Sequence, residues 1–101
     1  MDLGYPSNRT FAKEGGGKVF AGNQPFTDAV IQDYNGNQGS MESDENGKKY
    51  NVYDWLKVEY VNSYNDSLKV YAAPNTTGHK RKLYIELYSG QEYQVVKVTQ
   101  N

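Results

Sequence analysis

The clearest pattern in the chain is strict alternation near its C-terminus. From Lys80 to Ser89, Leu83, Ile85 and Leu87 fall on one face of an extended strand, with Tyr84, Glu86 and Tyr88 on the other. Gly90-Gln91 follows, a two-residue loop with glycine first, as in tight hairpins. The returning strand, Glu92 to Gln100, sets Val96 and Val98 on one face and Tyr93, Val95 and Lys97 on the other. Upstream, Leu68 to Ala73 turns Leu68, Val70 and Ala72 inward and Lys69 and Tyr71 outward. Pro74 ends it, because proline has no N–H to give a ladder. A further strand is predicted over Val52 to Val61, carrying Trp55, Leu56, Val58 and Tyr60, with a turn over Asn62 to Asp66 behind it. Three weaker strands precede these, at Thr10 to Glu14, Lys18 to Ala21 and Thr27 to Asp33. Gly15-Gly16-Gly17 between the first two permits a tight reversal or a bulge.

No stretch repeats apolar residues at spacings of three and four for the length of a helix. Short alternating runs between turn formers instead predict an all-β domain of about seven strands, a sandwich or barrel. Trp55, beside Leu56 and Val58, reads as core. Residues 35–49, between Tyr34 and Tyr50, are polar and rich in Gly, Asn and Ser. They are expected to form a mobile loop with room for a short extra hairpin.

Composition narrows the function. At 101 residues the chain has the length of a single domain spanning 1–101. Eleven Lys and Arg against twelve Asp and Glu leave a net charge of −1, which lacks the basic footprint of a nucleic-acid binder. It also gives no polybasic attraction to anionic lipid. With no Cys, disulfides and thiolate metal sites are excluded. No apolar run reaches the length of a membrane span, so no insertion is expected, and the N-terminus has no signal-peptide pattern.

Candidate chemistry is sparse. His79 is the one histidine, in the turn Gly78-His79-Lys80-Arg81 with no adjacent acid to orient it as a base; it reads as a solvated loop residue. Asp54, Glu59, Glu86 and Glu92 lie on or beside strands, as outward residues do, so an acid–base pair is not expected. The loop Glu42 to Gly47 alternates oxygen-bearing residues before a glycine. However, Glu42 opens it instead of Asp, and Tyr53 stands where a closing Glu would ligate calcium. Gly15-Gly16-Gly17-Lys18 lacks the spacing of a phosphate loop. No catalytic residue, cofactor or metal site is therefore expected.

The aromatic content stands out: ten Tyr beside one Trp and three Phe. Tyr71, Tyr84, Tyr88 and Tyr93 all point away from the predicted core. On neighbouring strands they would make a flat ring-lined face on which a sugar can stack. The same rings, as cross-strand pairs, would stabilise a sheet without any ligand.

One segment resembles a known family. Asn75, Thr77, Gly78 and Arg81 follow an apolar strand in an Asn-x-Thr-Gly-x-x-Arg pattern, and Val98 and Gln100 close the chain as Val-x-Gln. These motifs, with Trp55 upstream, resemble the BACON family, the Bacteroidetes-associated carbohydrate-binding often N-terminal domains. The Gly15-Gly16-Gly17 run is similar to the family's early Glu-Gly-Gly. The resemblance implies a monomeric, immunoglobulin-like β-sandwich with Greek-key connections. It also implies a non-catalytic module at the cell surface, outside the cell or in the periplasm, after removal of a signal or lipid anchor. Its partners would be glycans, mucin among them, or, as a spacer or adhesion module, a surface protein. The motif residues themselves read as fold residues: Asn75 to Gly78 are turn formers, and the Arg81 stem can cover apolar surface.

Overall fold

The computed structural model describes residues 3–61 and 64–101. Nine strands run in the order β1 (Asn8–Phe11), β2 (Gly16–Phe26), β3 (Asp28–Gln32), β4 (Ser40–Ser43), β5 (Lys48–Tyr53), β6 (Leu56–Val61), β7 (Asn65–Ala72), β8 (Arg81–Ser89) and β9 (Glu92–Gln100). They form two sheets, four strands in the order β1-β9-β8-β3 and five in the order β2-β7-β6-β5-β4. The sheets face each other across one apolar core. Ala29, Ile31, Leu83, Ile85, Leu87, Val96 and Val98 come from the first sheet, and Phe26, Leu56, Val58, Tyr60, Leu68, Val70 and Ala72 from the second. All pairings are antiparallel except β1 with β9, which is parallel.

The C-terminal hairpin forms as its pattern predicts. Ser89 pairs with Glu92 around Gly90-Gln91, and Gly90 takes the left-handed conformation (φ 62°) that a side chain would resist. Leu83, Ile85 and Leu87 are buried, as are Val96 and Val98. Trp55 is buried too, at 6% exposure.

Several expectations are corrected. The strand expected over Val52 to Val61 is two strands, β5 and β6, joined at Asp54-Trp55 with Tyr53 opposite Leu56. Alternation cannot place Trp55 and Leu56 on the same buried side of one strand, and the turn between β5 and β6 resolves the conflict. Asp54 accepts a left-handed φ of 52° there, which aspartate tolerates better than most residues. The strand expected at Thr10 to Glu14 starts earlier and stops at Phe11, and the next runs on from Lys18–Ala21 to Phe26. The chain turns over residues 12–15, closed by Gly15 N donating to Ala12 O, while Gly16 and Gly17 already belong to β2; β1 and β2 enter different sheets instead of pairing. The turn expected over 62–66 lies partly outside the described residues, while Asn65 and Asp66 belong to β7.

The polar segment 35–49 holds the extra hairpin and is ordered by its own side chains. Asp33 Oδ1 accepts the backbone N–H groups of Asn35 and Asn37, both at 2.9 Å. Asp44 Oδ1 does the same for Asn46 and Lys48, closing the β4–β5 turn. These are Asx turns, which need only a short carboxylate at the start of a reversal. The segment also ties the sheets together. Asn51 Oδ1, buried on β5, accepts the Ile31 N–H of β3 at 2.8 Å, and Ile31 O accepts from Gly39 N at 2.8 Å.

Both chain ends are held by buried glutamines. Gln94 Oε1 accepts the N–H groups of Leu3 and Tyr5, and its Nε2 donates to Tyr5 O at 2.6 Å. That anchors two core residues, Leu3 and Tyr5, that belong to no strand.

Candidate functional site

The four candidate tyrosines divide between two faces. Tyr84, Tyr88 and Tyr93 lie on the outer face of the four-stranded sheet, whereas Tyr71 lies on the outer face of the five-stranded sheet, across the core. The expected single stripe is therefore three residues, with Tyr71 separate. Alternation fixed the outward direction of each ring, but the sheet holding β7 was not readable from it.

Register places the first face in rows. Asp28, Tyr88 and Tyr93 form one row across β3, β8 and β9; Val30, Glu86 and Val95 the next; Gln32, Tyr84 and Lys97 the third. Tyr88 and Tyr93 are direct cross-strand partners, with ring centroids 6.2 Å apart and planes inclined at 31°. Tyr93 is 55% exposed, and Val95 beside it is 37% exposed. The Tyr88 hydroxyl donates to Glu86 Oε2. That hydrogen bond, then burial and the charges of Glu86 and Asp28, push the Tyr88 phenol up to about 12. The ring is thereby fixed as a neutral donor across the ordinary pH range. A tilted aromatic pair edged by carboxylate and hydroxyl oxygens can stack on a sugar face and accept its hydroxyls.

The second face is built differently. The Lys57 ammonium sits between the rings of Tyr50 and Tyr71, 5.2 and 5.5 Å from their centroids. Glu59 Oε2 lies 3.4 Å from Lys48 Nζ and 3.8 Å from Lys69 Nζ, and its Oε1 accepts from the Tyr71 hydroxyl at 3.4 Å. The Tyr71 ring also covers Gly17 on β2: a Cβ there would come within 3.0 Å of it. Tyr71 is therefore tied down on three sides. The sequence offered no sign of Lys57, Tyr50 or Glu59 as a cluster, because their meeting depends on β5, β6 and β7 being neighbours. Splitting Val52 to Val61 at the Trp55-Leu56 pair would have revealed it.

A shallow concavity of about 160 Å³ opens near the edge of this second face, between Lys48, Glu59, Tyr64, Asp66 and Lys69. His79 sits in the turn before β8, and its carbonyl accepts from Asn75 Nδ2 at 2.7 Å. Asn75 Oδ1 in turn takes the Thr77 hydroxyl at 2.7 Å. Arg81 lies over Trp55, 4.8 Å from the ring centroid. The motif residues thus hold the turn together, as expected of fold residues.

Two facing sheets, one pairing the half-buried Tyr88 with the exposed Tyr93 and the other carrying a self-contained charge cluster, define an all-β sandwich. The match to the family model "BACON: Putative binding domain, N-terminal" covers residues 42–101, and the chain belongs to that family. Among solved structures it is similar to one described as "NMR structure of the protein from Bacteroides thetaiotaomicron". The two share 19% identity over 97% of this chain and 82% of that one, with a TM-score of 0.65, a likeness of fold. No curated protein matches the chain.

Proposed function

We propose that this domain is a non-catalytic module of the cell surface or envelope that binds carbohydrate on the outer face of its four-stranded sheet. The observation that carries the reading is the cross-strand pair of half-buried Tyr88 and exposed Tyr93, edged by Glu86 and Asp28. Tyr84 extends the face by one further row. Stacking on such rings contributes through apolar contact, and side-chain oxygens at the edge set orientation. The non-consecutive neighbours β9–β1, β8–β3 and β7–β2 support reading the connections as an immunoglobulin-like Greek key. A glycan array tests the function. Binding is expected for the native domain and is expected to disappear in Tyr84→Ala or Tyr88→Ala while each variant stays folded. Unchanged binding in both variants contradicts the proposal.

The five-stranded face favours a second reading, a spacer or protein-contact module without a sugar ligand. Its rings and charges already satisfy one another, so a ligand there would have to break existing contacts. A blank array together with capture of a surface protein is the outcome this second reading predicts.

A further inference from the structure

Resting on the carbohydrate reading of the four-stranded face, we propose that this face selects uncharged sugars and rejects those bearing carboxylate, sulfate or sialic acid beside the stacked ring. The argument is one of row composition. The row holding Tyr88 and Tyr93 contains Asp28, and the next row contains Glu86; neither row contains a lysine or arginine. Glu92 adjoins Tyr93 along the chain. The nearest cations on the face are Lys97, in the row of Tyr84, and Lys82, one row beyond. The ion pairs found among the described residues are those of Glu59 with Lys48 and Lys69, on the opposite sheet. Asp28 is held by the Ala29 N–H and the Tyr60 hydroxyl and Glu86 by the Tyr88 hydroxyl, all neutral donors, so neither carboxylate is paired with a cation. The platform is polarised, acidic where the rings pair and basic at its far end. A neutral sugar can stack on Tyr88 and Tyr93 and donate hydroxyls to Glu86 and Asp28. An anionic substituent at the same place meets the like charges of Glu86 and Asp28 and finds no lysine or arginine in either row to compensate it.

At contact distances in a water-like medium, each such repulsion weakens binding about fivefold. The effect is screened as salt rises, because the Debye length falls from about 30 Å at 0.01 M to about 3 Å at 1 M. Matched oligosaccharides give the test: N-acetyllactosamine oligomers with and without terminal sialic acid, and xylo-oligosaccharides with and without glucuronate. Each is titrated at both ionic strengths. The neutral member of each pair is expected to bind at least about tenfold more tightly at low salt, with the gap closing at high salt. The double variant Asp28→Asn, Glu86→Gln, which leaves one acceptor oxygen at each position and removes both charges, is expected to close the gap at low salt as well. Equal or tighter binding of the acidic members overturns the inference and leaves the carbohydrate reading standing. So does a preference that survives high salt. Failure of every ligand to bind overturns both together, so the two failures are distinguishable.

Discussion

Arg81 Nε donates to Gln100 Oε1 at 2.8 Å, joining the first residue of β8 to the last of β9. Gln100 is fully buried, and its Nε2 reaches further, to Ala73 O at 2.7 Å and Ala12 O at 3.1 Å. One side chain thus fastens the ends of β8 and β9 to the segments that follow β7 and β1.

Gln100→Ala is expected to remove one of the donors to each of the carbonyls of Ala12 and Ala73, which Gly15 N and Arg81 Nη2 also reach, and to remove the Arg81 Nε contact. The cost is about 1–3 kcal/mol of folding stability, from the lost hydrogen bonds and a small cavity. Urea denaturation measures it. A loss below about 0.5 kcal/mol, the scale of an ordinary surface substitution, would mean that Gln100 is not a structural clasp.

Gln94→Ala is expected to free the N-terminal segment, because Leu3 N and Tyr5 N both donate to Gln94 Oε1. Amide hydrogen exchange at Leu3 and Tyr5 should accelerate by more than tenfold, while Ile85 and Val96 on β8 and β9 exchange as before or shift only with global stability. Unchanged exchange at Leu3 and Tyr5 would show that apolar burial alone holds the segment.

Tyr71 and Tyr93 are expected to separate stability from binding. Tyr71→Ala uncovers Gly17 and releases Lys57, and should cost about 1–2 kcal/mol with no effect on any glycan bound to the other sheet. Tyr93→Ala, at 55% exposure, should cost less stability and remove binding. The reverse assignment would move the ligand face to the five-stranded sheet.

How far the fold could be read ahead of the structure follows from these residues. Wherever one face is buried and the other wet, as in β8 and β9, alternation identified each residue's side correctly. Residue type, rather than alternation, misleads where a polar side chain replaces a strand contact. Gln94 and Gln100 look like outward residues by type, yet both lie inside because each accepts or donates to backbone that has no strand partner. Asp33 and Asp44 look like loop acids, yet they order the segment expected to be mobile. The site was partly legible for a related reason. The outward direction of a ring is local, set by a period of two, whereas the company it keeps depends on which strands are neighbours. Tyr88 and Tyr93 share a hairpin and could be paired from the chain alone, but Tyr71 could not be placed.

Acid sensitivity should appear at Asp33. The Tyr53 hydroxyl donates to Asp33 Oδ2 at 2.5 Å, and Asn37 Nδ2 donates to the same oxygen at 2.9 Å. These bonds, Tyr53 first, lower the Asp33 carboxyl from 3.8 to about 2. A carboxylate held below its unfolded value stabilises the fold above that value. This contribution is therefore full above about pH 4 and is lost as pH falls towards about 2. Asp33→Asn should flatten that part of the Tm–pH curve, and an unchanged slope would assign the acid sensitivity to other carboxylates.

The most direct test of the central claim is a two-dimensional NMR titration of the folded domain with a neutral oligosaccharide that scores on the array. Shift changes are expected for the backbone and ring signals of Tyr84, Tyr88, Tyr93 and Val95, and not for Tyr50 or Tyr71. They should vanish in Tyr88→Ala. Changes centred on β6 and β7, or none at saturating sugar, would contradict a ligand platform on the four-stranded sheet and leave the paired rings as sheet scaffolding.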